Sequence, residues 1–353
     1  MKIAIDISPL NSGSGHSVRG VGSYIRLLRD NLEKFDFINK YTFFEDRKQI
    51  SEDTDVIHYP YFDPFRLFLP KQKMSSTIIT IHDLTPVVFS DKFPAGIKGN
   101  INWKIQKRII PKLGGVITDS NSAARDVERF TKINQKKVFP IHLAVPDKYS
   151  NLQNPALVEK IYEKYNLPNT FVLYVGDVTW NKNLPFILES CIQAYIPLVL
   201  VGKAITEKNY DESNPWNYDR KIVQSLIAQN SELLVPLGFV PDEDLGLIYK
   251  IAKALVMPSM YEGFGLPVLE AMQSGCPVIT SKNGSLPEVG GDAVYYIDSE
   301  KKSDFINALE IMTKNESERS KFIEAGLVQS KKFTVKKMIS ETVRAYEQVG
   351  SKK

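Results

Sequence analysis

Short apolar runs alternate with longer amphipathic runs along the whole chain. In the first half the apolar runs are KIAIDI, DVIHY, TIITIH and GVITDS, and each ends near small or polar residues. Amphipathic patterns such as GSYIRLLRDNLEKF and IKGNINWKIQKRIIPKL lie between them. The second half repeats this style with TFVLYVG, PLVLVG, ALVMPS and PVITS. Val-, Ile- and Leu-rich strands that alternate with helices predict an α/β fold, with parallel sheets covered on both faces.

The chain is longer than one hydrophobic core usually serves, since it has 353 residues, and two domains are expected. A polar stretch, YSNLQNP, followed by the helix pattern ALVEKIYEKYNL, indicates a domain connection. We predict two doubly wound domains, over 1–165 and 166–330, and a late helix over 331–353 that packs back towards the first domain. Two such domains usually face each other across a central cleft, and ligands bind outside the carboxyl ends of the strands.

Composition narrows the class of protein. The net charge of +4 is a mild basic bias, so binding to nucleic acid is not expected. Cys191 and Cys276 lie in apolar surroundings, which is typical of buried thiols. The first ten residues lack the apolar core of a signal peptide, and no uncharged apolar run approaches a membrane span. We expect a cytoplasmic protein, soluble or bound peripherally at the inner face of the membrane.

The stretch YEGFGLPVLEAMQSG, from Tyr261 to Gly275, holds two carboxylates in an otherwise apolar and glycine-rich run. Glu262 follows a strand pattern, and GFGL forms the turn into a helix whose first N–H groups suit phosphate or sugar hydroxyls. Glu270 lies about 200° round the helix from Val268, away from the apolar stripe. There it could accept hydrogen bonds from a ribose diol. The alternative is that both acids are solvated.

The segment EGFGLPVLE resembles the glutamate-seven-residues-glutamate signature of family 4 of the retaining glycosyltransferases, which adopt the GT-B fold. The resemblance is close over 236–298 and looser in the first half, where acceptor recognition would lie. It extends to LYVGDVTWNKNL, LVLVGK, GFVPDEDLGLIYKIAKALVMPS and SMYEGFGLPVLEAMQSGCPVITSKNGSLPEVGGDA, and upstream to IDISPLNSGSGHSVRGVGSYIRLL, IHDLTPVVF and TDSNSAARDV.

The resemblance implies a role for each matching residue. Glu262 would contact donor-sugar hydroxyls as a positioning and electrostatic group, and His82 would face the reacting sugar. Lys182 would neutralise the diphosphate, where charge grows as the leaving group departs. Glu270 would bind the ribose. The other implied donor-binding residues are Gly20 and Gly22 in the first domain, Phe239 and Val240 near the base, and Gly263, Phe264, Gly265 and Leu266 around the sugar and diphosphate.

Two positions depart from the family pattern. Many relatives have an arginine just before the lysine or after the strand-end glycine, where this chain has Asn181 and Asp177. A positive charge expected near the diphosphate is therefore missing, unless Arg19 or another basic group supplies it. Asp177 is expected to cap backbone groups of its loop.

The remaining candidates have simpler interpretations. His58 is a weaker strand-end candidate, His142 lies in an apolar run and is expected to be structural, and His16 lies in a glycine-serine loop that could cover the site. Asp242 and Asp244 fit a helix start with acids in its first turn. Glu288 could reach the ligand or simply begin a helix. No cluster has metal-ligand spacing, so no metal is expected.

The segment 98–112 is basic, with Lys98, Lys104, Lys107, Arg108 and Lys112 around Trp103 and no acid. One interpretation is an amphipathic helix with a solvated basic face. The other is a peripheral membrane contact, because acceptors of such enzymes are often lipid-linked glycans.

We therefore expect a retaining, metal-independent hexosyltransferase that uses a nucleotide sugar, without a cofactor, and a glycan or lipid-linked glycan acceptor. The pattern is most similar to mannosyltransferases of polysaccharide biosynthesis, which favours GDP-mannose over UDP-sugars. The alternatives are a nucleotide-sugar epimerase of related fold and a pseudo-transferase that binds sugar nucleotide without catalysis. Only the altered positions 177 and 181 support the latter.

Overall fold

The computed structural model describes residues 1–11, 20–70, 73–146 and 155–351. The chain divides into two compact units, each with its own sheet. Unit 1 comprises Met1–Ser90, Ala95–Ala144 and Phe333–Lys353, and unit 2 comprises Asp91–Pro94 and Val145–Lys332.

Each unit contains a parallel six-stranded sheet. In unit 1 the strand order is β2-β1-β3-β4-β5-β6, and in unit 2 it is β12-β11-β10-β7-β8-β9. The second order reverses direction between β10 and β7, as in doubly wound nucleotide-binding sheets. The strands are β1 (Lys2–Asp6), β2 (Lys40–Phe44), β3 (Val56–Tyr59), β4 (Thr77–Thr80), β5 (Gly115–Thr118), β6 (Val138–Pro140), β7 (Val172–Val175), β8 (Leu198–Val201), β9 (Leu234–Gly238), β10 (Leu255–Met257), β11 (Val278–Ser281) and β12 (Tyr295–Ile297).

Helices connect most of the successive strands, as is usual between parallel strands. They are α1 (Val21–Phe35), α2 (Thr85–Val88), α3 (Gly96–Ile109), α4 (Asn121–Thr131), α5 (Pro155–Tyr165), α6 (Leu184–Ala194), α7 (Lys203–Thr206), α8 (Tyr218–Gln229), α9 (Asp242–Ile251), α10 (Leu266–Gln273), α11 (Leu286–Gly290), α12 (Lys302–Lys314), α13 (Glu316–Ser330) and α14 (Val335–Gly350). Short 3-10 turns occupy Ser8–Leu10, Arg47–Gln49, Met74–Ser76, Ile110–Lys112, Gln135–Lys137, Trp180–Lys182 and Pro215–Asn217.

The predicted α/β class with two doubly wound parallel sheets is confirmed. The central strands are buried on both faces, so their runs of Val, Ile and Leu carry no polar alternation. Among the helices of the described ranges, none combines the length and apolar character needed to cross a membrane.

The division between the units lies at residue 144, about 20 residues before the position predicted at 165. Helix α5 belongs to unit 2 because its last turn is bonded to α9. Lys164 Nζ and Tyr165 Oη donate hydrogen bonds of 2.7 and 2.6 Å to Asp244. Helix α14 belongs to unit 1, where it packs on α1 and on the strands β3, β4 and β5.

Candidate functional site

An ion pair lies at the carboxyl ends of the two central strands of unit 2. Lys182 follows β7 and Glu262 follows β10, the neighbouring strands at which the sheet order reverses. Lys182 Nζ donates hydrogen bonds of 2.8 Å to both Glu262 oxygens. The side chains are 20% and 7% exposed. Ligands of doubly wound sheets bind at this reversal point, so the pair stands where a ligand is expected.

The two asparagines beside Lys182 hold its turn against the loops that follow β10 and β12. The Asn181 amide donates a 3.0 Å bond to the Tyr261 carbonyl, and Met260 N donates 2.8 Å to the Asn181 carbonyl. The Asn183 amide donates 2.9 Å to the Ser299 carbonyl, and its backbone is left-handed with a φ of 57°. Asparagine tolerates that conformation better than most residues. The lysine is therefore fixed at its base, while its ammonium is held by Glu262.

The loop that carries Glu262 is fixed by the loop after β11. Ser285 Oγ donates hydrogen bonds of 3.0 Å to the Glu262 carbonyl and 2.7 Å to the Phe264 carbonyl. Gly284 lies so close that a Cβ there would stand 2.5 Å from the Glu262 carbonyl oxygen. Only glycine fits, because its φ is also +59°. Neither Ser285 nor Gly284 was predicted from the sequence, although SKNGSLPE lies inside the segment of closest family resemblance.

The glycine turn predicted between Glu262 and the next helix is present. Gly263 and Phe264 are buried, and Gly265 precedes α10 in a left-handed conformation with a φ of 99°. A Cβ at Gly265 would meet Leu286 at 3.0 Å. The helix begins at Leu266, Pro267 has no N–H, and Val268 N donates a 3.0 Å hydrogen bond to the Gly265 carbonyl. The helix pattern therefore leaves the N–H groups of Gly265 and Leu266 without intrahelical acceptors, close to Glu262 in the chain. This arrangement is suited to an anion or to sugar hydroxyls.

Glu270 lies half-buried on the second turn of α10. Tyr249 Oη, from α9, donates a 2.8 Å hydrogen bond to Glu270 Oε2. The apolar neighbours Val268, Ala271 and Met272 are buried, as the predicted stripe requires. Glu270 is thus a carboxylate oriented by a buried tyrosine, and the interpretation as a freely solvated acid is wrong.

The two residues expected near a nucleobase differ in exposure. Phe239 and Val240 lie in the loop between β9 and α9, and 53% of Phe239 is exposed. Val240 is fully buried. The phenyl ring of Phe239 is accessible for stacking on a base, whereas only the backbone of Val240 could face a ligand.

The two departures from the family pattern have structural roles. Asp177 is exposed, and its Oδ1 accepts a 2.8 Å hydrogen bond from Val178 N, so the acid caps its own loop. Asn181 is buried and bonded to the Tyr261 carbonyl. An arginine side chain at this position would have to leave that buried contact.

Unit 1 carries a second polar cluster at the carboxyl edge of its sheet. His82 follows β4 and Asp119 follows β5, and His82 Nδ1 lies 2.8 Å from Asp119 Oδ2. Nε2 lies 3.3 Å from the Pro60 carbonyl. The Tyr24 ring meets the imidazole edge-on at 5.2 Å. Both ring nitrogens therefore face acceptors, which suits a doubly protonated ring.

The charge state of His82 follows from its surroundings. Burial lowers the pKa of the imidazole. The Asp119 carboxylate, together with Asp83 and the Pro60 carbonyl, outweighs burial, so the pKa of His82 lies above the usual range. Within the described residues, buried Asp119 Oδ1 has no hydrogen-bond partner. His82 was predicted from the sequence, but Asp119, which lies 37 residues later, was not. The strand-end position of the TDS segment was the available signal.

The first-domain glycines lie at the start of α1, which follows β1. Gly20 precedes the helix with a φ of 62°, and Gly22 is buried in its first turn. Among the described residues, no atom lies within 4 Å of the position that a Cβ on Gly20 would take, so this glycine is required by conformation rather than by space. His16 and Arg19 lie outside the described residues.

His58 is structural. It is fully buried on β3, with Nδ1 2.8 Å from Tyr346 Oη of α14 and Nε2 2.8 Å from Thr80 Oγ1 of β4. Burial lowers the pKa of the ring to about 3, so it is neutral. His142 is half-buried, and its ring lies 5.5 Å from that of Phe333.

The acidic candidates begin helices. Asp242 and Asp244 lie in the first turn of α9, and Asp244 accepts the bonds from Lys164 and Tyr165. Glu288 lies in the first turn of α11. Across the residues that the structure describes, no group of three His, Cys, Asp or Glu side chains could hold a metal ion.

Comparison with known proteins shows what this site is similar to. Residues 159–328, which contain Lys182, Glu262 and Glu270, match the family model Glycosyl transferases group 1. The chain is 28% identical over 317 residues to O-antigen chain mannosyltransferase B of Escherichia coli, covering 88% of this chain and 80% of that protein.

Two further comparisons extend this result. The chain is 50% identical over 188 residues to MMP alpha-(1->4)-mannosyltransferase of Mycolicibacterium hassiacum, covering 53% of this chain and 42% of that protein. The crystal structure of HepE from Anabaena in complex with UDP and glucose aligns with a TM-score of 0.72 at 14% identity, over 98% of both chains. At that identity the likeness is one of fold.

Proposed function

We propose that the chain, whose residues 159–328 match the family model Glycosyl transferases group 1, transfers a hexose from a nucleotide sugar to a hydroxyl of a glycan or lipid-linked glycan. The configuration at the anomeric carbon is retained, and no metal takes part. GDP-mannose is the favoured donor and a UDP-sugar the next. The names of the two mannosyltransferase relatives support mannose.

The observation that carries the proposal is the pairing of Lys182 with both oxygens of Glu262 at the strand-order reversal. A largely buried ion pair contributes little net stability, because desolvation offsets its attraction. Its position instead suits a ligand that carries both an anion and hydroxyls. A donor diphosphate gives the ammonium of Lys182 a second anion, and the sugar hydroxyls give Glu262 new donors.

The rest of unit 2 completes a donor site around this pair. The N-terminus of α10 is suited to the negative charge of the donor diphosphate. The Glu270 carboxylate accepts hydrogen bonds from the ribose hydroxyls, and the exposed Phe239 ring stacks on the base. Tyr249 keeps Glu270 in one orientation, which lowers the entropy lost when the ribose binds.

The chemistry is a front-face displacement at the anomeric carbon. The bond from that carbon to the leaving diphosphate oxygen breaks, and the acceptor oxygen forms its bond from the same face. The acceptor proton passes to the departing phosphate. Lys182 stabilises the charge that grows on the phosphate, and Glu262 stabilises the positive sugar carbon. We assign the His82 imidazolium, held by Asp119, the donation of a charged hydrogen bond to a sugar hydroxyl.

Release of free nucleotide tests this proposal. The protein is incubated with GDP-mannose, UDP-glucose or ADP-glucose, with and without a mannan-oligosaccharide acceptor or a lipid-linked glycan. Acceptor-dependent release of GDP, with a new α-linked mannose in the product, is expected. A binding protein without activity would release no nucleotide, and an epimerase would change the sugar while it stays attached to the nucleotide. Either outcome would overturn the proposal.

A further inference from the structure

Helix α3 in unit 1 packs with its polar side inward. Its buried residues are Gly99, Asn102 and Gln106. The Gln106 amide donates bonds of 2.9 and 3.0 Å to the carbonyls of Asp63 and Pro64, and its oxygen accepts from Phe68 N at 3.0 Å. The Asn102 amide donates 2.8 Å to the Phe65 carbonyl. These bonds satisfy the backbone of the 63–69 loop and fix the orientation of the helix.

The outer side of α3 presents three isoleucines. Ile97, Ile101 and Ile105 are 84%, 52% and 41% exposed. Their spacing of four residues places them in one stripe along the helix, about 12 Å long at about 1.5 Å per residue. Amphipathic helices of globular domains turn such stripes to the core. Here the inward positions are occupied by Gly, Asn and Gln, so the aliphatic side chains face outward.

Basic residues surround this stripe. Lys98, Lys104 and Arg108 are exposed on the same helix, and Lys112 is exposed just beyond it. The sequence contains no Asp or Glu from Lys92 to Thr118. Trp103, by contrast, is half-buried and packs against the core of unit 1, so it does not belong to the outer surface.

We infer that the outer face of α3 binds an anionic lipid surface. We define this face by Ile97, Lys98, Ile101, Lys104, Ile105 and Arg108. Isoleucine side chains enter the boundary between headgroups and acyl chains, while the long basic side chains extend to the phosphates. Two signals of this kind, apolar insertion and positive charge, together give stable but reversible membrane binding.

Charge decides the choice of occupant. Because the segment from Lys92 to Thr118 is basic and contains no acid, it attracts a negatively charged surface. An anionic bilayer offers both that negative charge and an apolar layer for the isoleucines. The inference rests on the proposed function and deepens it, because membrane binding through α3 would bring the enzyme to a lipid-linked acceptor. It is tested without donor or acceptor, so failure of the two proposals can be told apart.

Vesicle co-sedimentation of the full-length protein tests the inference. Vesicles of phosphatidylcholine alone are compared with vesicles of equal parts phosphatidylcholine and phosphatidylglycerol, at low and at high salt. We expect binding to the anionic vesicles only, and weaker binding at high salt. In the double variant Lys98→Glu/Lys104→Glu, the affinity for anionic vesicles should fall by more than about fivefold for each residue changed.

Matched variants separate the face from general charge and hydrophobicity. Ile97→Ser/Ile101→Ser should also lose most of the binding. Lys136→Glu/Lys336→Glu has the same change of net charge, and Ile38→Ser removes an isoleucine that is 85% exposed elsewhere in unit 1. Both controls should bind like the wild type. The inference would be overturned if the wild type failed to bind anionic vesicles. An acidic protein would then be the alternative partner of the outer face of α3. Wild-type binding by either α3 variant would overturn the inference as well.

Discussion

Two ion pairs at the carboxyl edges of the two sheets differ in how they are held. The Lys182–Glu262 pair joins the loops that follow β7 and β10 of unit 2, and we propose that each partner exchanges the other for part of the ligand. The His82–Asp119 pair is about equally buried, with side chains 17% and 5% exposed, but its imidazole is bonded on both nitrogens. The first pair is suited to binding a ligand that carries both an anion and hydroxyls, and the second to supplying a fixed positive charge. The following variants test this contrast.

Glu262→Ala should have the largest effect. Loss of the carboxylate should reduce transfer on the order of a thousandfold, because the group acts on charge that develops in the transition state. Binding of GDP, measured by calorimetry, should not weaken, since Lys182 loses a competing anion. Glu262→Gln keeps the size and should be nearly as inactive. Unchanged turnover in either variant would remove Glu262 from the mechanism.

Asp119→Asn should reduce transfer roughly ten- to hundredfold, the loss expected for one charged hydrogen bond. Asp119 raises the pKa of His82, so the imidazolium persists above its usual range and is lost as pH rises through the raised pKa. In the variant the alkaline limb of the pH–rate profile should move to lower pH. The double variant with His82→Gln should be no worse than His82→Gln alone. An unshifted profile would show that Asp119 is only structural.

The sequence revealed these two pairs unequally, for a physical reason. Lys182 and Glu262 lie in segments with a specific family resemblance, so both could be named. Asp119 could not, because a histidine partner is set by the pairing of β4 with β5 and not by sequence spacing. Ser285 and Gly284 could not be predicted either, because they contact the backbone of the Glu262 loop, which is distant in sequence.

The fold was more predictable than the surfaces. Continuous apolar runs predicted the buried parallel strands, because burial on both faces leaves little choice of residue. The orientation of α3 could not be predicted, since its inward Gln106 and Asn102 bind carbonyls of a distant loop. A prediction from hydrophobic periodicity assumes that the inner face of a helix is apolar, which is not the case for α3. The domain boundary was placed late, because the contacts that bind α5 to α9 lie 80 residues apart in sequence.

Gly284→Ala should have an intermediate effect on transfer, through the position of Glu262 in the Lys182–Glu262 pair. A Cβ would stand 2.5 Å from the Glu262 carbonyl and displace that loop, so transfer should fall about tenfold, in line with a strain of ~1–3 kcal/mol. Gly275→Ala is the matched control, because its φ of 73° carries similar strain but the nearest atom lies at 3.8 Å. Both variants should have a lower melting temperature. Equal activity in the two would show that the Gly284 contact does not position Glu262.

Tyr249→Phe should have the smallest effect. It removes one neutral hydrogen-bond donor to Glu270, so nucleotide affinity should fall about threefold and the maximal rate should change little. Calorimetry with GDP measures the first and saturating-donor rates the second. Glu270→Ala, by comparison, should weaken binding further. Full affinity in both variants would separate Glu270 from the ribose.

Calorimetric titration of GDP into the wild type and Lys182→Met tests the proposed donor site most directly. Lys182 should leave part of its bond to Glu262 and bind the diphosphate, so affinity should fall at least about tenfold in the variant. Lys331→Met removes an exposed lysine of the same unit and should leave affinity unchanged. Equal affinity for GDP in the wild type and Lys182→Met would contradict the proposed donor site.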